Sequence, residues 1–501
     1  MRNKINTKVN FRKNHICFDN SFVNLGDKFY AKLNPTPVEK PEMIKLNDKL
    51  ASNLGIELEM LDLQDWASIF SGNRILPGAE PLAMVYAGHQ FGHLVPQLGD
   101  GRAILLGEVI DNFSIRNDIQ LKGSGRTPFS RGGDGKAALG PVLREYLIAE
   151  GMHALGISTT RALAAVSTGE NVYREIPLPG AILTRVAASH IRVGTFQYGA
   201  ARGEVDKVRA LADYTILRHY PEIADAENPY LEFFVAVTDS QAALVASWMN
   251  IGFIHGVMNT DNMTISGETI DYGPCAFMNR YSPGTVFSSI DQHGRYAYAN
   301  QPEILVWNLA RLAETLIPFV DPDKNRAIEL LTETIDCIKP LYESHWLAGM
   351  KSKIGLSTKG SQDEQLITDL LSTMEEGQAD FTLVFRRLAQ VLRGESGAVR
   401  NLFKDPGAFD LWVQRWQKRL EQEGVSKEAI AESMNRFNPI YIPRNHKVEE
   451  ALSAAVEQGD MKPFTKMLNV LSHPFIDIQE EEVYAKPPPQ SNIPYRTFCG
   501  T

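Results

Sequence analysis

Several groups of residues have types and spacings that suggest chemistry, and most fail on inspection. Gly99-Asp100-Gly101-Arg102-Ala103-Ile104 opens like a dinucleotide-binding turn but lacks the third glycine that close helix packing needs. Gly135-Lys136 is followed by Ala137, with Ser130 upstream, where a phosphate-cradling Walker loop requires Ser or Thr and Gly. His89 and His93 have the i, i+4 spacing of metal ligands. Gly88 and Gly92 argue against a helix there and no Glu follows His89, so both histidines are expected to pack or hydrogen-bond. Gly123-Ser124-Gly125 sets its glycines one position too close for a nucleophile elbow.

One constellation survives. His255-Gly256-Val257-Met258-Asn259-Thr260-Asp261-Asn262 precedes Asp271-Tyr272-Gly273, which is the order of a kinase catalytic and metal loop. In that chemistry an Asp two positions after the His accepts the substrate proton, an Asn five beyond it holds a metal ion, and the Asp of the later triplet holds metal against the phosphates. Asn262 and Asp271 fill the metal positions. The proton-accepting position is Val257, which can accept no proton, and this puts ordinary phosphoryl transfer in doubt. Upstream, Lys122 and Glu145 supply the Lys and Glu of the same template, each offsetting the other's desolvation.

Local patterns indicate the elements that must position these groups. Asp118-Ile119-Gln120-Leu121-Lys122 alternates, so a strand there turns Lys122 away from Ile119 and Leu121. A glycine-rich connection from Gly123 to Gly135 leads to a helix from about Pro141 to Leu155, on which Val142, Glu145 and Ile148 share a face. A carboxylate in that apolar stripe calls for a cation. Asp100-Gly101 between apolar runs is a hairpin signal, and Met263-Thr264-Ile265 with Glu268-Thr269-Ile270 looks hairpin-like. Leu244, Trp248 and Ile251, then Ile304, Trp307, Leu312 and Leu316, recur at helical spacing as core faces. The apolar run Ala242 to Met258 reads as a buried helix, interrupted by Ser247, Asn250 and His255 and too short to span a membrane.

Composition bounds the rest. A chain of 501 residues, 44% hydrophobic and 22% charged, is an ordinary folded protein with room for several domains. A net charge of -9 has the wrong sign for life on nucleic acid or anionic membrane. The cysteines Cys17, Cys275, Cys337 and Cys499 form no C-x-x-C pair and fit a reducing cytosol. The first fifteen residues are basic without an apolar segment and read as a short solvated tail. Glycine-rich and alternating segments fill the first two-fifths and helical periodicity dominates after about Asp206, which suggests two lobes. The acidic and proline-rich end reads as an extended tail.

Longer strings make the chain resemble the selenoprotein O family of protein adenylyltransferases. They are Tyr86-Ala87-Gly88-His89-Gln90-Phe91-Gly92, Gln97-Leu98-Gly99-Asp100-Gly101-Arg102, the run from Gln120 through Lys122 to Arg131, and the run from His255 to Met263. Arg444-Asn445-His446 and the ending Phe498-Cys499-Gly500-Thr501 extend the resemblance over essentially Phe18 to Thr501. It implies an α+β, two-lobed, protein-kinase-like fold. Residues 1–200 would form an N-terminal extension and the smaller nucleotide-binding lobe, residues 201–476 a mainly helical lobe with the catalytic and metal loop, and residues 477–501 the tail.

The resemblance further implies transfer of AMP from ATP, bound in a flipped orientation, to Ser, Thr or Tyr hydroxyls of proteins, with magnesium or manganese as the cation. By the same resemblance Asp261 accepts the proton, Asn262 and Asp271 hold the metal, and Lys122 contacts the nucleotide while paired with Glu145. Gly99, Gly101, Arg102, Asp134, Gly135, Arg185 and Arg192 would also contact ATP; without the resemblance, Arg185 and Arg192 read as surface charge. Rival readings are transfer of UMP or of phosphate, and a non-catalytic pseudokinase scaffold, against which the retained Asn262 and Asp271 argue. Expected partners are ATP and protein substrates, with no nucleic acid or membrane, in the cytoplasm. Some family members join a cysteine past the Asp-Tyr-Gly segment to a C-terminal one. Here no cysteine lies around Phe287, Cys275 is the only thiol nearby, and Cys499 is expected to be a free thiol.

Overall fold

The computed structural model describes residues 15–489 and 495–498. Its strands are β1 (Tyr30–Lys32), β2 (Glu42–Leu46), β3 (Leu82–Met84), β4 (Gly88–Gln90), β5 (His93–Val95), β6 (Ala103–Ile110), β7 (Arg116–Lys122), β8 (Ala137–Ala138), β9 (Arg161–Tyr173), β10 (Pro177–Ala187), β11 (Phe253–Ile254) and β12 (Ala276–Phe277). Eight of them form one antiparallel sheet in the order β1-β3-β6-β7-β10-β9-β2, with β8 added to β10. Alternation along β7 has the expected result. Ile119 and Leu121 enter a core with Trp66 and Phe70 on one face, and Gln120 and Lys122 point to the other. Helices α1 (Asp48–Asn53) and α2 (Leu63–Phe70) cover the first face, and α3 (Leu139–Ala154) covers the second with Val142, Glu145 and Ile148 all buried.

Beyond the sheet the chain is helical: α4 (Val193–Ala200), α5 (Val205–His219), α6 (Pro229–Ile251), α7 (Gln301–Val320), α8 (Lys324–Lys353), α9 (Asp363–Glu376), α10 (Phe381–Leu392), α11 (Gly397–Arg400), α12 (Gly407–Leu420), α13 (Lys427–Phe437), α14 (Asn445–Gln458), α15 (Lys462–Leu471) and α16 (Glu482–Ala485). The antiparallel sheet in the N-terminal part and the helices after it give the expected α+β, two-lobed, kinase-like architecture. One continuous core joins α3 to α6, α7 and the later helices, and includes Leu244, Trp248, Trp412 and Trp416. No helix among the described residues is long and apolar enough to cross a membrane.

Four local expectations need correction. Asp100-Gly101 does not close a hairpin: β5 pairs back on β4, and the buried Asp100 carboxylate instead accepts the Met84 N–H and the Gln120 amide, both at 3.1 Å. The apolar run from Ala242 is helical only to Ile251, because Gly252 takes a left-handed φ of 70° and ends α6. Segments 263–265 and 268–270 do not pair as strands; Ile265 N–H bonds to Ile191 and Thr269 N–H to Ser158. The tail is not extended throughout, since α16 forms within it and Ala485 is buried. The basic N-terminal residues before His15, and Cys499, lie outside the described residues.

Candidate active site

A cleft of about 880 Å³ is lined from both the sheet and the helical part. Every expected contact residue lines it: Gly99, Gly101, Arg102, Lys122, Asp134, Gly135, Arg185, Arg192, Asp261, Asn262 and Asp271. Glu145 stands behind Lys122 on α3.

At the cleft's floor three cations converge on one carboxylate. The end of β7 delivers Lys122, whose Nζ lies 2.7 Å from Glu145 Oε2 and 2.7 Å from Asp271 Oδ1. On β10, Arg185 sits opposite Gln120, which accepts its Nε at 2.8 Å. Its Nη1 reaches Asp271 Oδ1 at 2.7 Å and Glu145 Oε1 at 3.1 Å. Arg192, just before α4, donates from Nη1 to Asp271 Oδ2 at 3.0 Å and to the Asp261 carbonyl at 2.8 Å, with its guanidinium over the Tyr86 ring. Arg185 and Arg192 are each 2% exposed, so neither is surface charge. Burial alone would raise the Asp271 carboxyl, but Lys122, Arg185 and Arg192 hold it well below the usual carboxylate range. Asp271 takes a left-handed φ of 60°, which aspartate tolerates better than most residues.

The run from His255 is ordered by its own hydrogen bonds. His255 Nε2 donates to the Ile270 carbonyl at 2.9 Å, joining this run to the segment that enters Asp271. Asn262 Nδ2 donates to the Val257 carbonyl at 2.9 Å, which leaves its side-chain oxygen as the atom able to meet a cation. Asp261 is 7% exposed, and its Oδ1 is buried without a hydrogen-bond partner. Burial pushes this carboxyl up to about 6; Arg192 opposes the rise, Asp271 adds to it, and the Gln90 side chain lowers it.

Sequence reasoning missed what covers Asp261. The β4–β5 hairpin lies on the run from His255. His89 N–H donates to Thr260 Oγ1 at 2.7 Å, and Phe91 N–H donates to Asn259 Oδ1 at 3.0 Å. A β-carbon on Gly88 would stand 2.3 Å from Asp261 Oδ1, so only glycine allows this approach. His89 does hydrogen-bond and pack, to Gln197 and edge-on to Trp307, while His93 is exposed. Among the described residues no group of three or more His, Cys, Asp or Glu is placed to hold a metal ion.

The glycines around the cleft have packing reasons of their own. A β-carbon on Gly101 would lie 2.9 Å from the Phe129 carbonyl, and one on Gly135 would lie 2.0 Å from the Gly125 carbonyl. Asp134 pairs with Arg174 at 2.9 Å beside the cleft. The C-terminal segment returns here as well. Thr497 N–H donates to the Phe287 carbonyl at 2.8 Å, Ser289 N–H donates to the Thr497 carbonyl at 2.9 Å, and Phe498 lines the cleft. No local pattern in the sequence marks this return; only the family resemblance, with its cysteine past the Asp-Tyr-Gly segment joined to a C-terminal one, points to it. Cys275 is buried and free, with its thiol pushed up by burial to about 11.

Known proteins resemble this chain along nearly its whole length. A family model described as protein adenylyltransferase SelO matches residues 13–472. The chain is 58% identical over 488 residues to the protein nucleotidyltransferase YdiU of Rhizobium rhizogenes, covering 97% of each chain. It is 57% identical over 486 residues to the proteins of the same name from Rhizobium meliloti and Cereibacter sphaeroides, covering 97% of this chain and 99% of theirs.

Proposed function

The chain belongs to the SelO family of protein adenylyltransferases, and from that membership we propose that it transfers AMP from ATP to Ser, Thr or Tyr hydroxyls of proteins. Asp261 is the base. It takes the proton of the acceptor hydroxyl as that oxygen bonds to the α-phosphorus, while the bond from the α-phosphorus to the bridging oxygen breaks and pyrophosphate leaves. Lys122, Arg185 and Arg192 hold the β- and γ-phosphates and stabilise the charge that builds there. Glycines 99, 101 and 135, with Arg102 and Asp134, shape the wall along the nucleotide. Val257 then needs no proton-accepting role.

The residues present suit a divalent cation. Asn262 and Asp271 both line the cleft, and would hold magnesium or manganese through the amide oxygen that the Asn262 Nδ2 bond leaves free and one carboxylate; so few protein ligands suit a cation that completes its shell with phosphate and water. When bound, it neutralises phosphate oxygens and orients the displacement. ATP as the substrate fits a cytoplasmic enzyme.

The observation that supports this reading best is Asp261. It is a buried carboxylate with an unpartnered oxygen and a pKa lifted to about 6, within the same cleft as the Asp271 cluster. Incubation with α-labelled and γ-labelled ATP, followed by mass spectrometry of the modified protein, tests it. The α label and the mass of AMP should appear on protein. A gain of phosphate would establish phosphoryl transfer instead, preferential use of UTP would establish uridylyl transfer, and no modification with nucleotide bound would leave a scaffold.

A further inference from the structure

Lys122, Arg185 and Arg192 are already engaged where an incoming ligand would meet them, because all three donate to the single carboxylate of Asp271, at 2.7, 2.7 and 3.0 Å. Arg185 and Arg192 are almost fully buried, so bulk water does little to screen their attraction to Asp271. Glu145 contacts Lys122 and Arg185, and Asp100 lies 3.8 Å from Arg192, so the cluster is closely balanced in charge. A triphosphate entering alone would bring its negative charge against Asp271 and Asp261. A divalent cation entering alone would have to sit on Asp271 beside three positive groups. Entering together, each removes the other's obstacle: the phosphates take the Lys and Arg donors, and Asp271 is released to the cation.

We propose that Asp271 is a stand-in for phosphate that masks a polyphosphate site. Its carboxylate engages all three cations, so cation and triphosphate bind with positive coupling, and removing its charge exposes a polyphosphate site that needs no metal. The proposal rests on the cleft being a nucleotide site and is independent of which group is transferred.

Asp271→Asn keeps the shape and removes the charge. By calorimetry in EDTA, with inorganic tripolyphosphate as the probe, this variant should bind about tenfold more tightly than the unaltered protein, or better, and tripolyphosphate should raise its melting temperature without metal. Magnesium should tighten tripolyphosphate on the unaltered protein by about tenfold or more, and by much less on the variant. Equal or weaker metal-free binding by a folded variant overturns the proposal. If the variant does not fold, the unaltered protein decides: tripolyphosphate affinity indifferent to magnesium overturns the proposal, and strong coupling upholds it. Because neither readout involves AMP transfer, failure of the adenylyl reading and failure of this inference are told apart.

Discussion

Asp261 gathers most of the testable chemistry at the scale of single residues. As the proposed base Asp261 must be ionised, so with a carboxyl lifted by burial to about 6 the rate of transfer, measured as a pH profile, should rise through that value and level off above it. The same shift means that the folded chain holds this proton more tightly than the unfolded chain, whose carboxyl sits near 3.8. This contribution to stability is therefore present at low pH and is lost as pH rises towards 6. Asp261→Asn should lower turnover by about 10²- to 10⁴-fold while ATP affinity stays within a few-fold; near-normal turnover would remove Asp261 from the mechanism. Arg192→Ala should weaken ATP by about tenfold or more and AMP far less, since AMP lacks the terminal phosphates. Equal losses measured by calorimetry would refute the assignment of those phosphates to Arg192.

Among the elements, the N-terminal end of α14 anchors the stretch of chain just beyond Asp271. Arg444 is fully buried, bidentate to Asp380 at 2.7 and 3.0 Å, and it donates to Asn279 Oδ1 and the Ala485 carbonyl. Beside it, Asn445 exchanges hydrogen bonds with both backbone groups of Phe277 on β12. Arg444→Ala would strand a buried carboxylate at Asp380, and should cost about 3–5 kcal/mol, read as a lower denaturation midpoint; an unchanged midpoint would show the anchor to be dispensable. These elements also show what a sequence makes legible. Lys122 and Glu145 are readable because strand alternation and helix spacing are local, and their ion pair forms at 2.7 Å. Arg185 and Arg192 resemble surface charge in the sequence because their burial depends on distant partners. The hairpin expected at Asp100 fails for the same reason, since the choice of strand partner is non-local. The cover over Asp261 is hidden because β4 meets residues more than 160 positions away in the chain.

Over the whole molecule, Lys353 is the buried charge with the clearest consequence for stability. Its Nζ lies 4.3 Å from the Phe385 ring centre and 5.5 Å from that of Phe381, and burial pushes the ammonium down to about 7 from its ordinary 10.5. The unfolded chain keeps this proton up to its ordinary value and the folded chain releases it near 7, so stability should rise with pH across that window. Lys353→Met should flatten the rise and raise the melting temperature at neutral pH, as thermal unfolding at several pH values would show. The hairpin at residues 88–95 also decides whether the polypeptide can be divided. Those residues lie on Asn259, Thr260 and Trp307, and one core runs through both parts of the chain. A fragment beginning at residue 201 would carry Asp261, Asn262 and Asp271 without their cover. Cutting the gene there would therefore yield two incomplete pieces that regain function only by reassociating, and split-protein complementation, not independent expression, is the behaviour to expect.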